Sequence, residues 1–307
     1  MRITVLCGGP GDERAVSLAS GSSVAEALRQ SGHDVFVSDV MPDDLSALDR
    51  PADVIFPVLH GQFGESGELQ AELERRGLTF VGSGSHASRL GMNKTLSKKR
   101  WADAGLFTPP CLQLDAGNAD AIEGFPLPCI VKPVDSGSSV GVHLCTTRLE
   151  ARQAVSCLLA ERGAALVERF IRGAELTVGF LEERALSPIR ILTGHEFFDY
   201  QAKYQDDTTR HVFDTQLPDD TVARCVKDAT RAYHLLGCRD LARVDIIVDD
   251  AGVPWLLEIN TIPGFTSHSL LPKAAAHEGI AFEQLVDRLV QQAFRRALAT
   301  RRLSKAV

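Results

Sequence analysis

The chain changes its secondary-structure grammar once, and that change limits the folds open to it. Up to about residue 90, short apolar runs alternate with helical stretches; beyond Pro126–Pro128 the runs come in adjacent pairs joined by small-residue turns. In the first part, Ile3–Cys7 ends in a glycine turn, and residues 16–30 carry Val16, Leu18, Val24, Ala27 and Leu28 at mixed helical spacing. Val35–Val40 and Val54–Leu59 read as strands, followed by a helix near Glu68–Arg76 and a short strand at Thr79–Val81. Strands separated by helices predict a parallel sheet covered by helices, an α/β arrangement. Residues 93–104 predict one more helix, closed by Pro109–Pro110.

In the second part, Cys129–Val134 and Val140–Cys145 predict a hairpin around Asp135-Ser136-Gly137-Ser138-Ser139. A helix near Leu149–Glu161 follows, then strands at Ala165–Phe170, Glu175–Leu181 and Leu186–Leu192. The last third predicts a helix near 221–236, strands at Ala242–Val248 and Pro254–Ile259, and a helix near 282–298. Soft boundaries therefore fall near 95 and 182, giving units 1–95, 96–182 and 183–307, the first α/β and the others α+β.

Charge narrows the function classes. Lys plus Arg minus Asp plus Glu is 33 − 40 = −7, which argues against a general binder of nucleic acid. A single phosphorylated ligand held by a few local lysines stays compatible with that sum. The seven cysteines include no CxxC pair, and most sit in apolar runs, as reduced buried thiols do. The N-terminal residues run straight into a strand rather than into a signal peptide. No window approaches about 18 uninterrupted apolar residues, so no membrane span is expected. A cytoplasmic protein is the expectation.

Several short motifs fail on context. The opening CGGPGDERAVS has Arg14 where a dinucleotide fingerprint needs its third glycine, leaving a glycine-rich strand-to-helix turn suited to a carboxylate or phosphate. No GK dipeptide occurs, so a P-loop is excluded. Gly137-Ser138-Ser139-Val140-Gly141 matches GxSxG by letter, but a strand follows where a nucleophile elbow needs a helix.

One constellation is stronger. Arg243-Val-Asp245 and Glu258-Ile-Asn260 fall in two strands joined by Asp249-Asp250-Ala251-Gly252. With a two-residue loop, Asp245 faces Glu258 and Arg243 faces Asn260, so alternation puts all four side chains on one face. Val244, Ile246, Leu257 and Ile259 then point the other way, while a three-residue loop shifts the register and breaks the pattern. Two carboxylates and an amide oxygen form a hard donor set for Mg²⁺, with phosphate oxygens completing the shell. The plain alternative is a solvated face with a surface ion pair. Lys94, Lys132 and Lys203 are scattered candidates for phosphate contact, and Lys132, Glu168 and Glu175 all intrude into strand-like runs. Together they describe a cleft polar enough for a nucleotide.

At this point the chain resembles the ATP-grasp ligases, and within them the D-alanine–D-alanine ligase family. The matching segments run in family order over the whole length: GGPGDERAVSLASG, HGQFGESGELQ, GSGSHASRLGMNK, IVKPVDSGSSVGV, VERFIRGAELTV, YQAKY, ARVDII and LLEINTIPGFTSHSLLP. The resemblance implies a parallel-sheet substrate domain followed by a two-subdomain ATP-grasp fold, with ATP between the two β-rich subdomains. Lys94, Lys132 and Lys203 would contact phosphates, and Lys132 would approach adenine. Glu168 would bind the adenine amino group, the backbone of Arg169 and Ile171 would form the hinge, and Glu175 would bind ribose. Asp245, Glu258 and Asn260 would hold two Mg²⁺ or Mn²⁺. Glu13 would fix the first alanine's ammonium, with Ser138 and Tyr204 linking it to a closing lid. Arg243 and the backbone of Gly264 would form the oxyanion site. Ser269 and Leu270 would receive the second alanine's carboxylate, and His60 would line that pocket.

The implied reaction is ATP-dependent joining of two D-alanine molecules through an acyl phosphate, for peptidoglycan precursor synthesis, in a homodimer. Pro10-Gly11, Ser66, Asn93, His211 and Asp214-Thr215 depart from the usual family residues and bear on lid packing and amino-acid choice. The resemblance implies that Tyr204 favours D-alanine over D-lactate as second substrate. A paralogue joining other amino acids is the alternative enzyme, and a non-catalytic nucleotide-binding module would be expected to lack Arg243 or a metal ligand.

Overall fold

The computed structural model describes residues 1–11, 13–137, 141–192, 209–266 and 269–304. Its first sheet is parallel: β1 (Arg2–Gly8) lies between β2 (Asp34–Val40) and β3 (Val54–Pro57). Helix α1 (Arg14–Gln30) makes the β1–β2 crossover and buries Val24, Ala25, Ala27 and Leu28. The turn between β1 and α1 needs glycine. Gly8 has φ +79°, and a Cβ there would lie 1.9 Å from Asp39 Oδ1. Arg14 holds Asp39 and also donates to the Gly9 carbonyl at 3.2 Å. The strand expected at Thr79–Val81 is only a single parallel bridge, Ile55 to Phe80.

Four helices follow β3: α2 (Gln62–Glu65), α3 (Glu68–Arg75), α4 (Ser85–Met92) and α5 (Lys94–Asp103). Asn93 caps α5 by accepting from Leu96 N–H at 3.0 Å. Helix α4 has no counterpart in the sequence reading. SHASRLGM is too short and polar for a helical period to stand out, and packing of Ala87 and Leu90 into a shared core stabilises it.

The second sheet is antiparallel, in order β4-β7-β5-β6, built from β4 (Cys111–Leu114), β5 (Cys129–Lys132), β6 (His143–Cys145) and β7 (Ala165–Arg169). Helix α6 (Arg148–Arg162) covers one face, opened by a Thr147/Glu150 capping box and closed by Gly163 in the left-handed region. Cys129, Val131, Cys145, Val155 and Leu158 fill that side. Alternation leaves Ile130 and Lys132 on the opposite side, facing a cleft.

The third sheet, order β11-β10-β8-β12-β13 with β9 beside β8, is also antiparallel. Its strands are β8 (Gly173–Leu181), β9 (Arg184–Ala185), β10 (Ile189–Leu192), β11 (Arg210–Val212), β12 (Leu241–Asp249) and β13 (Pro254–Asn260). Helix α7 (Asp219–Leu235) packs on one face, with Tyr233 stacked on Phe180 at 4.6 Å between ring centroids. Helices α8 (Leu270–His277) and α9 (Phe282–Ser304) carry Leu271, Leu285 and Leu289 into a core shared with Val5 and Phe56 of the first sheet. Fully buried Asp240 adds a polar lock: it accepts from Gly82 N–H at 2.8 Å and pairs with Arg296 of α9. The parallel first sheet and antiparallel remainder agree with the expected fold class.

The β12–β13 hairpin corrects the sequence reading in one respect. Its loop has three residues, Asp250 to Gly252, closed by Asp249 N–H to the Val253 carbonyl at 3.1 Å. Near the turn Val248 pairs with Pro254 and Ile246 with Leu256, but Asp245 pairs with Glu258 and Arg243 with Asn260. A β-bulge at Leu257 absorbs the one-residue offset. Arg243, Asp245, Glu258 and Asn260 therefore share a face by a different route from the two-residue loop. The core position belongs to Leu256, fully buried beside Val244, Ile246 and Ile259, and not to Leu257, which lines the cleft. Leu256→Ala is expected to destabilise the fold by ~2–5 kcal/mol and Leu257→Ala by well under half of that, read as urea midpoints of the two variants.

Candidate active site

The second and third sheets enclose a cavity of about 520 Å³. Asp245, Ile247, Leu257 and Glu258 form its floor, Ile130, Lys132 and Leu144 its roof, and the segment joining β7 to β8 its back wall. In that segment Arg169 N–H is committed to the Pro110 carbonyl at 2.9 Å. The Arg169 backbone can thus offer a ligand only its carbonyl oxygen, with Ile171 next along the wall. Glu175, on β8, lines the same cavity.

Several of the charged side chains are already paired. Lys132 donates to Glu168 Oε1, and Lys98 lies 2.9 Å from Glu168 Oε2, with all three side chains buried. Lys98 also donates to Thr108 Oγ1 at 3.0 Å, which donates to the Leu256 carbonyl at 2.8 Å. Burial would raise the Glu168 carboxyl, but Lys132 and Lys98 outweigh it and hold it below the usual carboxylate range. Burial likewise pulls the Lys98 ammonium below its ordinary value. Lys94, first residue of α5, lies 3.3 Å from Glu258 Oε2 and donates to the Ser136 carbonyl at 2.6 Å.

Arg243 grips Asp245 with two hydrogen bonds of 2.9 Å, and Thr177 Oγ1 donates to Asp245 Oδ1 at 2.7 Å. Asn260 Oδ1 accepts from Ile262 N–H at 2.8 Å. Among the described residues no group of three His, Cys, Asp or Glu side chains is placed to hold a metal ion. The donor set on this face is instead two carboxylates and an amide oxygen. That is the chemistry of a hard cation sharing its shell with phosphate oxygens, and the residues present fit it.

A second group lies between the first sheet and this hairpin. Glu13 stands at the N-terminus of α1, with no hydrogen bond from its side chain to the helix. Its Oε2 comes within 3.5 Å of where a Gly61 Cβ would be and 3.2 Å of where a Gly137 Cβ would be. Gly61 has φ +84°, and Gln62 beside it donates to Asp135 at 3.2 Å, so first-sheet loops meet the hairpin loop of the second sheet here. His60 is buried, and its Nε2 has no hydrogen-bond partner among the described residues. Burial depresses its imidazole to about 4, opposed by a backbone bond with Ile262 and reinforced by Arg243, so it is neutral near pH 7. Ser269, which precedes α8, has its hydroxyl 2.7 Å from where a Gly264 Cβ would be, and it accepts from Thr266 N–H at 3.0 Å. Leu270, the first residue of α8, packs on the shared core.

Lys94, Lys132, Glu168, Arg169, Ile171, Glu175, Asp245 and Glu258 thus border one cavity, with Arg243 and Asn260 on the same hairpin face. Glu13, His60, Gly264, Ser269 and Leu270 lie toward the first sheet. Ser138, Lys203 and Tyr204 fall outside the described residues. Sequence reasoning missed Lys98, Thr177 and Glu65. Lys98 follows Lys94 by one helical turn and Thr177 follows Glu175 by one strand period, spacings that place each pair on one face.

Comparison with known proteins gives a consistent picture. Residues 111–291 match the family described as D-ala D-ala ligase C-terminus. The chain is 41% identical over 300 residues to the D-alanine–D-alanine ligase of Anaeromyxobacter dehalogenans (strain 2CP-C), covering 95% of this chain and 96% of that one. Two structures of the Bacillus anthracis D-alanine–D-alanine ligase superpose on it. One has TM-score 0.87 and 32% identity, covering 98% of this chain and 99% of the other. The second, complexed with ATP, has TM-score 0.86 and 29% identity with the same coverage.

The buried Glu168–Lys98 contact yields a prediction. Lys98→Met leaves the carboxylate with one cation and is expected to cost about 3 kcal/mol in urea unfolding at pH 7. In the wild type, the Glu168 contribution is complete above the ordinary carboxyl value of 4.5 and disappears as pH falls through the lower folded value. In Lys98→Met that loss begins at higher pH.

Proposed function

The chain belongs to the D-alanine–D-alanine ligase family, and on that premise we propose how its own residues carry out the ATP-dependent joining of two D-alanine molecules. The enzyme is a ligase that consumes ATP and supplies the dipeptide for peptidoglycan precursors. The observation that carries the site assignment is the shared face of the β12–β13 hairpin. It sets Arg243, Asp245, Glu258 and Asn260 together, with Asp245 and Glu258 on the floor of the cavity that Lys94 and Lys132 border.

In this reading the adenine lies against Ile130 and Leu144, with Glu168, the Arg169 carbonyl and the Ile171 backbone reading its polar edge. Glu175 takes the ribose, and Lys94 and Lys132 turn from their carboxylates toward phosphate oxygens. Lys203, with the same phosphates, and Ser138 and Tyr204, beside Glu13, complete the proposal by resemblance. Asp245, Glu258 and Asn260 would hold two Mg²⁺ or Mn²⁺, which when bound neutralise phosphate charge.

The chemistry needs no protein nucleophile. A carboxylate oxygen of the first D-alanine attacks the γ-phosphorus and ADP leaves, giving an acyl phosphate. The amine of the second D-alanine attacks the acyl carbon, and the tetrahedral adduct expels phosphate. Glu13 orients the first ammonium; Ser269 and the start of α8 receive the second carboxylate, with neutral His60 beside it. Arg243 and the Gly264 N–H stand where the oxyanion charge grows, a preorganised arrangement that accounts for most of the rate in reactions of this kind. A buried site protects the acyl phosphate from water. A homodimer and a cytoplasmic location belong to the same proposal.

Purified protein is expected to release phosphate only with ATP, a divalent cation and D-alanine together, with D-alanyl-D-alanine as product. Release with another amino acid but not with D-alanine would instead support a paralogue of different substrate. Arg243→Ala is expected to lower kcat by about 10²–10³ while the protein still binds ATP. Glu258→Gln is expected to abolish turnover with the thermal transition retained.

A further inference from the structure

One buried acid near the substrate pocket has no part in the chemistry above. Glu65 ends α2, is 7% exposed, and accepts from the Gly61 N–H at 2.8 Å through Oε2. Glu13 Oε2 lies within 3.5 Å of where a Cβ on the same glycine would be. Two carboxyl groups therefore converge on Gly61, which follows a histidine that is neutral. Neighbouring carboxylates repel each other, most where one of them is buried, and a single amino-acid ammonium neutralises only one of them.

We propose that Glu65 is a positioning residue that works as an uncharged carboxylic acid, holding the Gly61 backbone and leaving Glu13 as the one anion offered to the first substrate's ammonium. The proposal rests on the ligase reading, in which Glu13 binds that ammonium. The surroundings support it. Burial and then the Glu13 charge push the Glu65 carboxyl up to about 8, against smaller opposing effects of the Gly61 bond, Arg243 and Lys94. Helices α3 and α4, which pack on α2, leave Glu68, Glu74, His86 and Arg89 exposed to solvent, and Glu72 is occupied by Arg75 and Arg76. Arg243, the strongest nearby cation, is committed to Asp245. Nothing in this set cancels the cost of charging Glu65.

An amide imitates a neutral acid but not a carboxylate, and this separates the two roles. Glu65→Ala is expected to raise the D-alanine KM about tenfold with a smaller change in kcat, and Glu65→Gln to recover most of that loss. The wild-type D-alanine KM should change as pH passes about 8, and the change should vanish in Glu65→Gln. Carboxyl ¹³C NMR of glutamate-labelled protein without substrates gives a reading independent of turnover. One glutamate should titrate near pH 8 in the wild type and be missing in Glu65→Gln. A Glu65→Gln variant as impaired as Glu65→Ala, or no glutamate titrating above about pH 6, would overturn the proposal. If the carboxyl titrates as expected but D-alanine supports no turnover, the ligase reading fails and the assignment of Glu65 as a neutral acid stands.

Discussion

The bulge at Leu257 is the constraint on which the site depends. A strand alternates its faces, and the β12–β13 hairpin has α7 on one face and the cleft on the other, so a one-residue offset exchanges its polar and apolar sets. With the three-residue turn alone, Asp245 would pair with Leu257, and Glu258 and Asn260 would enter the core beside Val244 and Ile246. The extra residue at Leu257 restores the pairing of Asp245 with Glu258. Leu257 itself stays on the cleft side, where an apolar side chain adds wall without charge. Core packing and the polar face are thus satisfied by one irregularity.

Much of the charge in the cleft is paired within it. Lys132 and Lys98 share Glu168, Lys94 meets Glu258, and Arg243 grips Asp245. A chain with net charge −7 can therefore serve a polyanionic substrate, because the cations that matter are drawn from α5, β5 and β12 into one place. In the proposed reading, ligand binding is an exchange of partners, in which phosphates would take over the lysines and divalent cations the carboxylates. Paired side chains do not collapse onto one another or leave uncompensated charge in a buried space.

Long elements were legible in the sequence, α1, α6, α7 and α9 by helical spacing and β8, β12 and β13 as strands, and β5 was legible as a short apolar run. The polar face of the hairpin was legible too, although its register was reached through a loop of the wrong length. Elements set by tertiary context were not. Helices α4 and α8 each have eight residues, and β9 and β11 are too short to carry an alternation. The site residues missed, Lys98, Thr177 and Glu65, have roles defined by what the fold brings against them. Lys98 reads as one more exposed lysine in NKTLSKK until Glu168, from a strand about 70 residues away, closes over it. Glu65 reads as an ordinary carboxylate until α2 is buried against Gly61 and Glu13.

The central claim is that this cleft activates a carboxylate by phosphorylation and then transfers its acyl group to an amine. Isotope transfer tests it most directly. With D-alanine labelled by ¹⁸O in both carboxylate oxygens, the account predicts one ¹⁸O in each phosphate released with the dipeptide, because the attacking oxygen leaves with phosphorus. Unlabelled phosphate formed alongside labelled dipeptide would contradict it.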